Sequence, residues 1–324
     1  DLAHQKMESI YFKVASGSLT SVCTNAVNVD HNSAYQIAIN QQPSNTAIAG
    51  IDLATQPGFD ILDQYNNLVD DGAHTISLAA FTNSGCSVSS SGTFNSTPTA
   101  TSSGSLTFSN VDHQKMESIY IGATAAGLQS ACTNSINVDH NSANKIAITT
   151  QPSSTAIAGV NFSTQPAYII HDSYNNVVDD GSHTITLSAH TASNCIATSS
   201  GTFNQTPAAS SSGSATFSGT THQKMETIYL KADAPGLTEI CSSAVAVDHN
   251  IANQLTITQQ PSSTATAAIA LSTQPSLQVL DAYNNNVDDG IHNLSVTPWS
   301  SSDCSTTASS GTTTYSAPAT SSGT

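Results

Sequence analysis

The chain has 324 residues, a formal net charge of −16 and only 9% charged residues, and all six of its basic side chains are lysine. So few cations cannot form the basic stripe that phosphate neutralisation needs, which excludes nucleic acid as a partner. No run of 18 apolar residues occurs, so no transmembrane segment is expected.

One stretch, HQKMESIYIGATAAGLQSACTNSINVDHN from His113 to Asn141, recurs with small changes from His4 and from His222, a period of 109 residues. A unit of that size can hold its own core, so the chain reads as a tandem repeat. The first copy stands at the start, so the expected order begins with residues 1–34, the closing strands F and G of an incomplete module. Complete modules are expected over 35–144 and 145–253, and residues 254–324 are expected to hold opening strands A to D of another incomplete module.

Within the first complete module, Ile37 and Ile39 alternate with polar residues over Gln36–Pro43, which predicts strand A. Strand B is expected to end at Asp63, before the Asn-, Asp- and Gly-rich turn QYNNLVDDG. Strand C follows over His74–Phe81, a short strand D within SSGTFNSTP, and strand E over Gly104–Val111. HQKME reads as a loop, SIYIGATA as strand F and SACTNSINV as strand G. Short strands with many turn signals and no helical period predict an all-β fold of tandem immunoglobulin-like Greek-key sandwiches in a rod-like array.

KIAITTQPSSTAIAGVNFSTQPAYIIHDSYNNVVDD (145–180), GSATFSG (213–219) and ETIYLKADAPGL (226–237) resemble the immunoglobulin-like tandem repeats of large bacterial surface and adhesin-type proteins. The shared features are strand A with its QP end, the D-x-x-x-N-x-V turn, the G-x-A-T-F strand E and the Y-x-L-x-A-x-x-x-G-L strand F. Two departures are the YNN turn, where Gly-Asn is usual, and a cysteine pair in each repeat. The resemblance implies a fold and an extracellular or cell-surface setting; such modules serve as stalks, spacers and adhesive units alike.

In a sandwich of this type the HQKME loop of one module, the VDHN linker and the VDDGxH turn of the next converge. Nine of the eleven histidines fall in these motifs. Three joints are expected: Asp30, Asn32, Asp70 and Asp71; Asp139, Asn141, Asp179 and Asp180; and Asp248, Asn250, Asp288 and Asp289. Three readings stand: a hydrogen-bonded, partly charged joint with no ion, a calcium site built from hard oxygens, and a transition-metal site through histidine. No cofactor is required by any motif, and calcium is the candidate ion.

The six cysteines keep two fixed phases of the repeat, which favours disulfides in an oxidising compartment over zinc, since no CxxC spacing occurs. Cys86 with Cys132 and Cys195 with Cys241 are the favoured pairs. Cys23 and Cys304 are then left to pair with neighbouring copies or with modules beyond this sequence. Asn95, Asn161, Asn204 and Asn293 are N-x-S/T glycosylation candidates. Tyr11, Tyr120 and Tyr229, at the start of strand F, are candidates for a tyrosine corner.

Asp70, Asp71 and His74 can be drawn as a carboxylate–imidazole pair, but no GxSxG, HExxH or phosphate-binding glycine loop accompanies them, and no enzyme activity is expected. The expected function is a structural or adhesive extracellular repeat protein forming a stalk or filament. Its partners would be further copies or further modules, head to tail, with strand exchange between copies or a window on a longer array as alternatives. The rival is a glycan- or protein-binding adhesin module, for which the single tryptophan, Trp299, offers little sugar-stacking surface.

Overall fold

The computed structural model describes residues 1–305 and 309–315. The rest of the expected A-to-D segment, 306–308 and 316–324, lies outside the described residues. The chain divides into two compact units, Asp1–Asn144 with His171–Val178, and Lys145–Ile170 with Asp179–Thr324.

The first unit opens with a ribbon of four short strands: β1 (Glu8–Ile10), β2 (Lys13–Val14), β3 (Val22–Cys23) and β4 (Val27–Val29). Strand β1 pairs antiparallel with β4, and β2 with β3. The sandwich follows, with β5 (Ala34–Gln41), β6 (Thr46–Ile48), β7 (Gly58–Asp63), β8 (Thr75–Phe81), β9 (Phe94–Asn95) and β10 (Thr99–Ala100). It closes with β11 (Ser105–Thr107), β12 (Asp112–His113), β13 (Glu117–Thr124), β14 (Ala131–Cys132) and β15 (Ile136–Asp139).

One sheet has the order β11-β7-β5, and the other β10-β8-β13-β15-β6, with β14 also on β13. These are strands E-B-A facing C-F-G, the immunoglobulin-like arrangement. The period of two puts Phe59 and Ile61 of one sheet against Ile76, Ile119, Ile121 and Ile136 of the other, all fully buried. Phe59 meets Phe108 edge to face, with centroids 5.9 Å apart.

The second unit repeats the design with β16 (Lys145–Thr150), β17 (Thr155–Ile157), β18 (Ala167–His171), β19 (Thr184–His190), β20 (Phe203–Asn204) and β21 (Ala208–Ala209). Next come β22 (Ser214–Thr216), β23 (Thr221–His222), β24 (Glu226–Asp233), β25 (Ile240–Cys241) and β26 (Val245–Asp248). Its sheets are β16-β18-β22 and β17-β26-β24-β19-β21. A final ribbon pairs β27 (Ala252–Gln259) with β28 (Ser276–Asp281), with irregularities at the same repeat positions as in the β5–β7 pair.

Four details depart from the sequence-based expectation. A separate strand, β6, follows the QP end and runs parallel to β15, so strand A changes sheets after the proline. The expected strand D is two fragments: β10 joins β8, while β9 pairs with β12, which takes His113 out of the expected HQKME loop. No tyrosine corner forms. The alternation that buries Ile119, Ile121 and Ala123 turns Tyr120 to the opposite face, and among the described residues the hydroxyls of Tyr11, Tyr120 and Tyr229 have no hydrogen-bond partner. Among the described residues no strand follows Asp281, so the expected strand C of the last segment is not formed there, while its expected strand D falls in part on 306–308 and 316–324, outside the described residues. In the complete modules strand C is held by strand F (β8 on β13, β19 on β24), and the described residues offer no such partner after Asp281.

Candidate functional site at the repeated joints

The polar group at the centre of each joint is one that composition did not single out. Asp63 ends β7 and is fully buried. One carboxylate oxygen accepts the backbone N–H groups of Tyr65 and Asn67 at 2.8 and 2.9 Å, which fixes the turn with Asn66 in the left-handed region at φ 67°. The other accepts the backbone N–H of Asn32, in the VDHN linker, at 2.8 Å and the Asn67 amide at 2.9 Å. Burial would push this carboxyl up, but the bonds from Asn67, Asn32 and Tyr65 outweigh it and hold Asp63 down at about 2.

Asn67 carries the grip onward. Its Nδ2 donates to the carbonyl of Gln5 at 2.8 Å, and its Oδ1 accepts from the backbone N–H of Met7 at 2.8 Å, both in the HQKME loop. One Asp–Asn pair thus ties the B–C turn to the linker and to the preceding loop. Asp172 and Asn176 do the same to Asn141, Gln114 and Met116 in the first unit. Asp281 and Asn285 do it to Asn250, Gln223 and Met225 in the second. Both aspartates are fully buried, and both are held below the usual carboxylate range, burial opposing and the linker and Asn bonds prevailing.

Close packing seals the two later joints. Gly50 sits at φ 70°, and a Cβ there would lie 2.2 Å from the Tyr174 ring; Gly159, at φ 73°, stands 2.1 Å by the same measure from the Tyr283 hydroxyl. Beside these glycines, Asn141 Nδ2 donates to the Ala49 carbonyl and Asn250 Nδ2 to the Ala158 carbonyl, each at 2.8 Å.

The linker residues form a compact turn around histidine. Asp30, Asp139 and Asp248 accept the backbone N–H of the following His31, His140 and His249. Each imidazole Nδ1 meets the carbonyl of Asn32, Asn141 or Asn250 at 2.7–2.8 Å. Asn32, Asn141 and Asn250 each accept the next backbone N–H on the side-chain oxygen.

The carboxylates surround the imidazole. His31 Nε2 is 3.5 Å from Asp70 and 3.4 Å from Asp71; His249 Nε2 is 3.3 Å from Asp288, 3.4 Å from Asp289 and 4.0 Å from Asp248. His31 is raised, by its bond to Asn32 against burial and with help from Asp71, Asp30 and Asp70. Burial would lower His249, but Asn250 and the three aspartates raise it. Asp139 lies 4.0 Å from His140 Nε2 in the first unit, while Asp179 and Asp180 belong to the second.

The HQKME histidines have a different surrounding. His113 is buried with Nε2 3.0 Å from Glu117, which also accepts from Ser90 and pairs with Lys115. His222, Glu226, Ser199 and Lys224 repeat the arrangement. Serine and carboxylate share Nε2, while Nδ1 is buried without a partner, so the order nucleophile–imidazole–orienting carboxylate of a catalytic triad is not present.

Cys86 is joined to Cys132 and Cys195 to Cys241, whereas Cys23 and Cys304 are exposed free thiols. Asn95, Asn161, Asn204 and Asn293 are all exposed; the amide of Asn95 bonds Asp112 and that of Asn204 bonds Thr221.

No protein-family model matches the chain, and no curated protein matches it. Among solved structures it is similar to domains 4 and 5 of the S-layer protein SbsC, at 10% identity and a TM-score of 0.26, over 68% of this chain and 99% of that one. An I-band fragment of titin gives 10% identity and a TM-score of 0.28 over 71% and 70% of the two chains. A β-glycosidase from Bacteroides vulgatus gives 10% identity and a TM-score of 0.28 over 67% of this chain; the match spans 25% of the enzyme's length. Likeness at this level carries no functional argument, and the immunoglobulin-like assignment rests on the strand order described above.

Proposed function

We propose that this chain is a structural segment of an extracellular repeat protein, a stalk or filament whose immunoglobulin-like modules are locked end to end. The observation that carries the reading is the buried Asp–Asn pair, formed three times at one repeat phase: Asp63 with Asn67, Asp172 with Asn176 and Asp281 with Asn285. Each pair spends its capacity on backbone groups of a linker and a preceding loop. Such bonds fix orientation rather than bind a ligand, and nearest-neighbour contacts set the stiffness of a tandem array. Three repeated joints built from buried backbone-directed bonds favour the structural role over the adhesive one. The two disulfides support an oxidising compartment.

Completion of the two ribbons, by a second copy or by further modules of a longer chain, belongs to the same proposal. Val14 and Val27 are 57% and 41% exposed, whereas their counterparts Ala123 and Ile136 are fully buried. Leu255 is 57% exposed, whereas its counterparts Ile37 and Ile146 are 5% and 3% exposed. The ribbon of β1 to β4 and the ribbon of β27 and β28 therefore present the two faces that pack together inside a complete module. Cys23 and Cys304 occupy the phases that are bonded within each complete module.

Peptide mapping under non-reducing conditions tests this. A Cys23–Cys304 linkage between copies supports completion by a second chain. Two unmodified thiols in a monodisperse monomer would remove that part of the proposal and leave the joint lock standing.

A further inference from the structure

The glycine beneath each sealed joint has a third counterpart, and it is alanine. Gly50, Gly159 and Ala268, the last in the turn between β27 and β28, share one phase of the 109-residue repeat. All three have left-handed backbone, at φ 70°, 73° and 66°. Their turns are closed alike: the N–H groups of Ile51, Val160 and Ile269 donate to the carbonyls of Ile48, Ile157 and Thr266 at 3.0 Å. Glycine enters this region freely, whereas a Cβ is disfavoured there. Because the backbone keeps its shape at Ala268, the extra methyl points where the tyrosine ring lies at the other two positions.

That tyrosine is held by the lock itself. The backbone N–H groups of Tyr174 and Tyr283 donate to Asp172 and Asp281 at 2.8 Å, the same buried carboxylates that grip the linker. A Cβ at Gly50 or Gly159 would overlap the ring of Tyr174 or Tyr283. Tyr65 is presented in the same way, its N–H on Asp63 at 2.8 Å, but it is 41% exposed, whereas Tyr174 and Tyr283 are half-buried.

We infer that Ala268 sets which module can seal against the turn between β27 and β28: one whose B–C turn carries a side chain smaller than tyrosine at the phase of Tyr65, Tyr174 and Tyr283. A second copy of this chain offers Tyr65 and docks there only with its joint unsealed. The inference rests on the end-to-end reading above and narrows the partner that reading allows. Its physical basis is steric: overpacking a close contact by one methyl forces the neighbour away, and a built-in clash discriminates between partners as strongly as a new attraction. In a filament made of copies, the joint at Ala268 is the loose one.

The test uses the full chain. Hydrogen–deuterium exchange at the Asn250 N–H, which donates to Asp281, reads whether the joint at Gly159 is sealed. Gly159→Ala should speed that exchange by about tenfold or more, and adding Tyr283→Ser should bring it back toward the wild-type rate. Sedimentation velocity reads the association of copies for the wild type, Ala268→Gly, Tyr65→Ser and the two substitutions together. Each single variant should tighten association by about tenfold and the pair no further than either, because both remove one clash. Ala268→Ser keeps the Cβ and should match the wild type, and circular dichroism confirms that every variant is folded. Asn250 protection unchanged by Gly159→Ala, or equal association of the wild type, Ala268→Gly and Tyr65→Ser, would overturn the inference. An unprotected Asn250 in the wild type would remove the end-to-end reading itself, and the inference with it.

Discussion

Replacing Asp63 by Asn keeps the shape of the side chain and removes what the joint uses. The wild-type carboxylate accepts four hydrogen bonds, from Tyr65 N, Asn67 N, Asn32 N and Asn67 Nδ2. An amide offers one oxygen, so two of these donors would face an NH2 group. A carboxyl lowered from 3.8 to about 2 reports the ionised form's advantage in the folded state. At about 1.4 kcal/mol per pKa unit that is about 2–3 kcal/mol, before any donor–donor conflict. The sign follows from the lowered folded value. The contribution is complete above about pH 4 and is lost as pH falls toward 2. Hydrogen–deuterium exchange at neutral pH reads the effect locally. Asp63→Asn should accelerate exchange at Met7, Asn32 and Asn67 by about 50-fold or more, with β13 and β8 protected as before. Protection at Met7 and Asn32 that is unchanged in the variant would refute the claim that this carboxylate holds the joint.

Further outcomes follow from the same geometry. Gly159→Ala should destabilise the second unit by about 1–3 kcal/mol in urea unfolding, because the new Cβ sits 2.1 Å from the Tyr283 hydroxyl and φ is 73°; adding Tyr283→Ala should recover only the steric part. Reducing the Cys86–Cys132 bond, with a sequence separation of 46, should cost about 4 kcal/mol on the chain-entropy estimate, read as a lowered Tm that Cys86→Ser reproduces. His222 is lowered by burial, against the pull of Glu226, so its contribution to stability is complete above about pH 6.5 and declines on acidification; His222→Gln should flatten that slope in thermal melts between pH 7 and 5.

The alternation of Ile37 and Ile39, the Gly- and Asn-rich turns and the 109-residue period were sufficient to read strands A, B, C, E, F and G, because a half-buried strand must alternate. Strand β6 was not legible: TAI is three residues long, and its parallel partner β15 lies about ninety residues away in sequence. The buried carboxylate was hidden for a related reason. Asp63, Asp172 and Asp281 look like ordinary turn residues, and only the linker, from a distant part of the sequence, makes them a site. The usable signal was the D-x-x-x-N spacing conserved between the three copies within this one chain. The more conspicuous VDHN and VDDG acids and their histidines were legible as neighbours, but the orientation of the imidazole was not, because it depends on one backbone carbonyl.

The central claim, that Asp–Asn pairs lock successive modules, is tested most directly by small-angle X-ray scattering of the whole chain against the triple variant Asn67→Ala, Asn176→Ala, Asn285→Ala. Each substitution removes the bonds to Gln5 and Met7, Gln114 and Met116, or Gln223 and Met225. The account predicts one well-defined distance distribution for the wild type and a broadened, flexible one for the variant, with unchanged β-sheet circular dichroism. Superimposable scattering curves from two folded proteins would contradict it.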